Sequence, residues 1–118
     1  MYSFFNNLKS ALKGLKVAFF EEKSLQLQFL AAVVVLILSF LLSIPKTQLV
    51  VLIFTIALVL SLELTNSVAE RILDIIKAEH HPKIKDAKDI MAAAVTISAI
   101  AAFIIGAFIF LPYLDSLV

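Results

Sequence analysis

The 118-residue chain is 62% hydrophobic and 16% charged, with a formal net charge of +1, whereas a soluble domain is only about half apolar. A chain this short has too little interior to hide that much apolar surface from water, which excludes an ordinary soluble fold and leaves the bilayer as the main solvent. With no cysteine present, disulfides, thiolate metal sites and cysteine nucleophiles are excluded as well.

In the first twenty residues Phe4, Phe5, Leu8, Leu12, Leu15 and Phe19 recur at helical spacing, and Asn6, Asn7, Lys9, Lys13 and Lys16 take most of the positions between them. The pattern predicts an amphipathic helix on the membrane surface, over residues 1–24. Its basic residues are interspersed rather than placed ahead of an apolar run, so it is expected to be retained and not cleaved as a signal peptide. The first long apolar run, Phe29 to Ile44, is extended by Leu25 to Gln28 and gives an expected helix over 25–44, long enough to span. Pro45 and the polar residues after it predict a tight return.

A second run, Leu49 to Leu62, does not stop cleanly. Its helical pattern continues through Glu63 to Ile76, so a helix over 47–76 is expected to project beyond the bilayer. His80-His81-Pro82 reads as a break. The third run, Met91 to Leu111, is about 31 Å long as a helix, against a hydrocarbon core of about 30 Å. A helix over 86–111 is expected, ended by Pro112. Ala99, Ala102, Gly106 and their neighbours make this last span rich in small residues, the kind that allow close helix approach in lipid, within the chain or between subunits.

Together these elements give an all-α integral membrane protein, a surface helix plus three transmembrane helices in a single 1–118 domain. Lys9, Lys13, Lys16 and Lys23 precede the first span, and Arg71, Lys77, Lys83, Lys85 and Lys88 lie between the second and third. The opposite side has Lys46 alone, which places the N-terminus in the cytoplasm.

Glu63, Asn66, Glu70 and Asp74 follow one another at intervals of three, four and four, and so are expected on one stripe of the second span. A carboxylate at the end of an apolar run is costly to keep and is a functional candidate for that reason, here as a general base. Glu63 and Glu70 are about 10 Å apart along the axis, too far for an acid pair. Glu70 is therefore a candidate cation ligand, with Glu21 and Glu22 at a comparable depth, and hard oxygen ligands suit Mg²⁺. Taken alone, Glu21 and Glu22 also read as solvated charges. Asp74 reads as an ordinary surface charge paired with Arg71 and Lys77. Lys83, Lys85 and Lys88 read either as a collar on headgroup phosphates or, for Lys88, as a nucleotide-phosphate ligand, with Asp89 accepting a hydrogen bond. His80 and His81 lack a third nitrogen or thiolate partner for a metal. Only Gly14 and Gly106 are present, so neither a Walker A loop nor a protein-kinase glycine-rich loop can be built. Phosphoryl transfer without them remains admissible, because it asks mainly for positioning and charge neutralisation.

Three motifs in order, Lys13-Gly14-Leu15-Lys16 with Glu22, Glu63-Leu64-Thr65-Asn66-Ser67 with Glu70 and Asp74, and Ala87-Lys88-Asp89 before the alanine-rich helix, resemble the prokaryotic diacylglycerol kinase family, which includes undecaprenol kinases. The resemblance covers nearly the whole chain. It implies an ATP-dependent lipid kinase of the bacterial inner membrane that phosphorylates diacylglycerol or undecaprenol. It implies Glu63 as general base and Asn66 as a residue shaping the site. Glu22 and Glu70 are implied as Mg²⁺ ligands, and Glu79, His80, His81, Lys88 and Asp89 as residues close to the ATP. A homotrimer with sites between subunits is also implied, and no nucleic-acid partner. Ala92 stands where diacylglycerol-specific members carry serine, and His81-Pro82 resembles the undecaprenol branch; both lean toward a polyprenol. The competing expectations are a small proton-coupled transporter using Glu63, and a noncatalytic helper packing through its third span.

Overall fold

The computed structural model describes residues 2–76 and 81–117. Four helices follow in chain order: α1 (Tyr2–Glu21), α2 (Lys23–Leu41), α3 (Lys46–Ile76) and α4 (Pro82–Leu117). The last three are each long and apolar enough to cross a membrane. The fold is therefore the all-helical one expected, with an N-terminal helix ahead of three helices able to span.

α1 ends because Glu22 leaves the helical region, at φ −122° and ψ 116°, and becomes the residue that opens α2. The junction is held by side chains. Gln26 Nε2 donates to the Phe19 carbonyl at 2.7 Å, satisfying a group that the end of a helix leaves orphaned. The Phe19 and Phe29 rings meet edge to face at 5.6 Å, and Ala18 and Leu25 are buried at the corner. The apolar face of α1 itself is uncovered: Phe4, Phe5 and Leu12 are each about two-thirds exposed.

α2 stops three residues earlier than its apolar run suggests, in a Schellman motif. The Ile44 N–H donates to the Ser39 carbonyl at 3.2 Å and the Ser43 N–H to the Phe40 carbonyl at 3.3 Å, the paired bonds that close a helix around a left-handed residue. That residue is Ser43, at φ 51°, and Pro45 then leads into α3. At 1.5 Å per residue α3 is about 46 Å long, so it overshoots the hydrocarbon core, as its polar continuation predicted.

α4 differs most from expectation. It starts at Pro82, not at 86, because the first helical position has no use for the N–H that proline lacks. His81 caps it: its Nδ1 accepts from the Lys83 N–H at 3.2 Å, and its carbonyl accepts from the Ile84 and Lys85 N–H groups at 3.2 and 3.3 Å. Nor does Pro112 end the helix, which continues to Leu117. Proline this close to a helix end removes only one intrahelical bond, to the carbonyl four residues back.

α3 packs most extensively against α4, less against α2, and α2 holds α1. Few apolar side chains are buried, chiefly Leu25, Leu52 and Ile109, while Phe54, Phe103 and Phe108 are at least 70% exposed. In water that would be untenable. In lipid, apolar side chains lose nothing by facing outward, and helices meet through close packing of small residues and through polar contacts.

Candidate active site

The site begins with the carboxylate row on α3. In the structure this row resolves into two neighbouring lines. Glu63, Ser67 and Arg71 form one, facing α1 and α2. Glu63 is 5% and Ser67 3% exposed; Arg71 Nε donates to Ser67 Oγ at 3.3 Å, and its Nη2 reaches Glu21 Oε1 at 3.1 Å. Asn66, Glu70 and Asp74 form the other: Asn66 Nδ2 donates to Glu70 Oε1 at 3.3 Å, and Asp74 pairs across to Lys88 of α4 at 2.7 Å. The expected pairing of Asp74 with Arg71 is thus corrected, because both charges find partners on other helices that are brought within reach by packing. Lys77, its other expected partner, lies outside the described residues.

Among the described residues Glu63 is the one buried carboxylate. From Lys46 to Glu63 is about 26 Å along α3, which sets it at the far edge of a hydrocarbon core about 30 Å thick. Its Oε1 accepts from Ser24 Oγ at 2.5 Å and its Oε2 from Gln28 Nε2 at 3.4 Å. Ser24 is the second residue of α2, so the carboxylate also stands beside a helix N-terminus, where partial positive charge favours an anion. Burial of a charge requires such partners.

Below Glu63 lies an apolar groove of about 560 Å³ between α2, α3 and α4. Gln28, Leu60 and Ala99 line its upper end, and Leu52, Gly106 and Leu114 lie farther along it. Apart from Gln28, its polar lining residue is Thr55, whose hydroxyl is tied to the Val51 carbonyl of its own helix at 2.7 Å. A Cβ built on Gly106 would meet nothing within 4 Å. The space beside this glycine is part of the groove itself.

The remaining expected residues sit as follows. Glu22 and Glu70 each adjoin one partner of the Glu21–Arg71 bridge, Glu22 beside Glu21 and Glu70 beside Arg71. Glu22 is half-buried, makes no side-chain cap on α2, and has its Oε2 occluded with no hydrogen-bond partner. Such an orphaned carboxylate oxygen fits a cation better than it fits a solvated charge. Among the described residues no group of three or more histidines and carboxylates is gathered for a metal; Mg²⁺ needs no such cage, because it commonly takes one or two carboxylates together with waters and substrate phosphates. Lys88 and the exposed Asp89 lie on the second turn of α4. His81 is occupied through Nδ1 by the helix cap. Glu79 and His80 lie outside the described residues.

Sequence reasoning missed Ser24 and Gln28. The available signal was two hydrogen-bonding side chains four residues apart, hence on one face, at the entrance of a spanning run. Which carboxylate they meet depends on the register of α2 against α3, which no single helix encodes.

The prokaryotic diacylglycerol kinase family model matches residues 9–110. The undecaprenol kinase of Bacillus subtilis is 37% identical over 111 residues, covering 94% of this chain and 90% of the relative. The diacylglycerol kinase of Haemophilus influenzae is 36% identical over 79% of each chain, and that of Escherichia coli K12 33% identical over 78% of this chain and 75% of its own. These similarities favour a kinase over the proton-coupled transporter that a lone membrane glutamate also suggested. A family model that matches residues 9–110, and relatives named for two different lipid alcohols, show that the chain belongs to the prokaryotic diacylglycerol kinase family as a kinase acting on a lipid alcohol.

Proposed function

We propose that the chain transfers the γ-phosphate of ATP to the hydroxyl of a membrane lipid, diacylglycerol or undecaprenol, giving phosphatidic acid or undecaprenyl phosphate. The observation that carries this reading is Glu63: a carboxylate 5% exposed, held by two donors, at the head of an apolar groove. A lipid entering from the bilayer brings its one polar group to that level. Glu63 then takes the hydroxyl proton as the alcohol oxygen bonds to the γ-phosphorus and the bond to ADP breaks. The groove keeps water from competing as acceptor.

Glu22 and Glu70 would hold Mg²⁺, a role supported by the orphaned Glu22 oxygen. When bound, the ion neutralises phosphate charge that the chain's lysines alone would meet incompletely. Asn66 orients Glu70 through the bond between them. Lys88, bonded to Asp74, brings positive charge for the nucleotide phosphates, and Asp89, His81, Glu79 and His80 are proposed as further nucleotide contacts on the family resemblance. Nine basic residues against one on the two sides of the spans support a cytoplasmic position for this face, which we assign to a bacterial inner membrane. A homotrimer is supported by the large apolar side chains that the helices leave exposed and available to other copies. Leaning toward undecaprenol are the share of the Bacillus relative's length that is matched and its printed name.

The test is ATP turnover by the purified chain in mixed micelles offered diacylglycerol, undecaprenol or no added lipid. Phosphorylated lipid with at least one alcohol, and ADP release that depends on it, is expected. ADP release indifferent to lipid, or none with either alcohol, contradicts the proposal.

A further inference from the structure

Gln28 Nε2 donates to Glu63, and Gln28 Oε1 is buried with no hydrogen-bond partner. The two facts constrain each other. An ionised carboxylate only accepts, so the amide must turn its N–H toward Glu63, and this turns its oxygen away. Gln28 also lines the groove. Leaving an acceptor buried and unpaired is costly, and the groove is otherwise apolar, with Thr55 already bonded to its own helix. A donor arriving along the groove would satisfy that acceptor.

Resting on the reading of Glu63 as base, we propose that Ser24 and Gln28 of α2 complete the acceptor site, and that Gln28 Oε1 receives the lipid hydroxyl before its proton passes to Glu63. Ser24 is a positioning residue: it touches no substrate and fixes Glu63 Oε1, so that Oε2 is the oxygen left to take the proton. Gln28 spans the two tasks, anchoring Oε2 through its N–H and docking the alcohol through its oxygen. The O–H bond first donates to Gln28, then breaks toward Glu63 Oε2 as the alcohol oxygen bonds to phosphorus and ADP leaves. A methyl or methylene at that place on the lipid leaves the amide oxygen unsatisfied, so the amide selects for an alcohol. Discrimination of this kind, where a polar group stays unpaired with the wrong ligand, exceeds what an apolar pocket achieves.

Steady-state kinetics on the full chain in mixed micelles, with diacylglycerol and undecaprenol in parallel, separate the roles. Ser24→Ala lowers kcat about tenfold with the lipid KM unchanged, the loss expected for one hydrogen bond to a charged group. Ser24→Thr keeps the hydroxyl and retains most of the activity. Gln28→Met, close in shape but unable to hydrogen-bond through an amide, lowers kcat and also raises the lipid KM about tenfold, with the ATP KM unchanged. If Ser24→Ala loses helical content, Ser24→Cys, near in size and a weak donor, carries the test with an intermediate kcat. Glu63→Gln runs alongside. If it is inactive while the Ser24 and Gln28 variants match wild type in kcat and lipid KM, the acceptor-site proposal is overturned and the base survives. If Glu63→Gln is itself active, the base assignment falls. A rise in ATP KM equal to that for lipid means that Gln28 is merely structural, and overturns its docking role.

Discussion

At the scale of single residues, the chemistry turns on which carboxylates are buried and by what. Periodicity places Glu63, Asn66, Glu70 and Asp74 close together on α3, yet it cannot say that Glu63 turns into α2 while Asp74 reaches α4. Four-residue steps drift around the helix, and the partners belong to other segments. The buried glutamate was legible because ionisable groups at the edge of apolar runs are rare; Ser24 and Gln28 were not, because small polar residues are ordinary at an interface. Glu70→Ala is expected to raise the Mg²⁺ concentration needed for half-maximal activity while leaving the lipid KM near wild type, read from metal titrations of phosphorylated lipid. The Glu21–Arg71 bridge, with side chains 57% and 44% exposed, is a weaker contributor. Replacing Glu21 by glutamine is expected to change stability by less than about 1 kcal/mol, measured by denaturant titration in micelles.

At the scale of elements, the apolar runs gave three spans because about 20 apolar residues in a row have few other uses. Their ends were less legible. Pro82 and Pro112 both read as stops, but the first opens α4 and the second lies within its last turns. Proline's effect depends on whether an N–H was needed at that place, which composition does not disclose. The α2 terminus carries a related prediction. Ser43 sits at φ 51°, where an L side chain costs roughly 1–2 kcal/mol and glycine pays no such steric cost. Ser43→Gly is expected to stabilise the α2–α3 hairpin by about 1 kcal/mol, seen as a higher unfolding midpoint in a detergent titration. An unchanged or lower midpoint would mean that the serine is not strained there.

At the scale of the whole molecule, three spans with so few buried apolar residues make a scaffold that presents polar groups at one edge and leaves most of its surface to lipid or to other copies. Gly106 separates the demands of the fold from those of the groove it lines. Among the described residues nothing lies near enough to obstruct a Cβ there, so Gly106→Leu is expected to keep its helical content by circular dichroism. Gly106 lines the groove, so the larger side chain is expected to fill part of it and to raise the lipid KM about 3- to 10-fold, read from steady-state kinetics in mixed micelles. The central claim can be tested without knowing the preferred lipid. Purified Glu63→Gln, folded and assembled as wild type, is presented with ATP and each alcohol in mixed micelles, and phosphorylated lipid is counted. The account predicts a loss of at least about 100-fold, the lower range for removing a general base; turnover near that of wild type would contradict it.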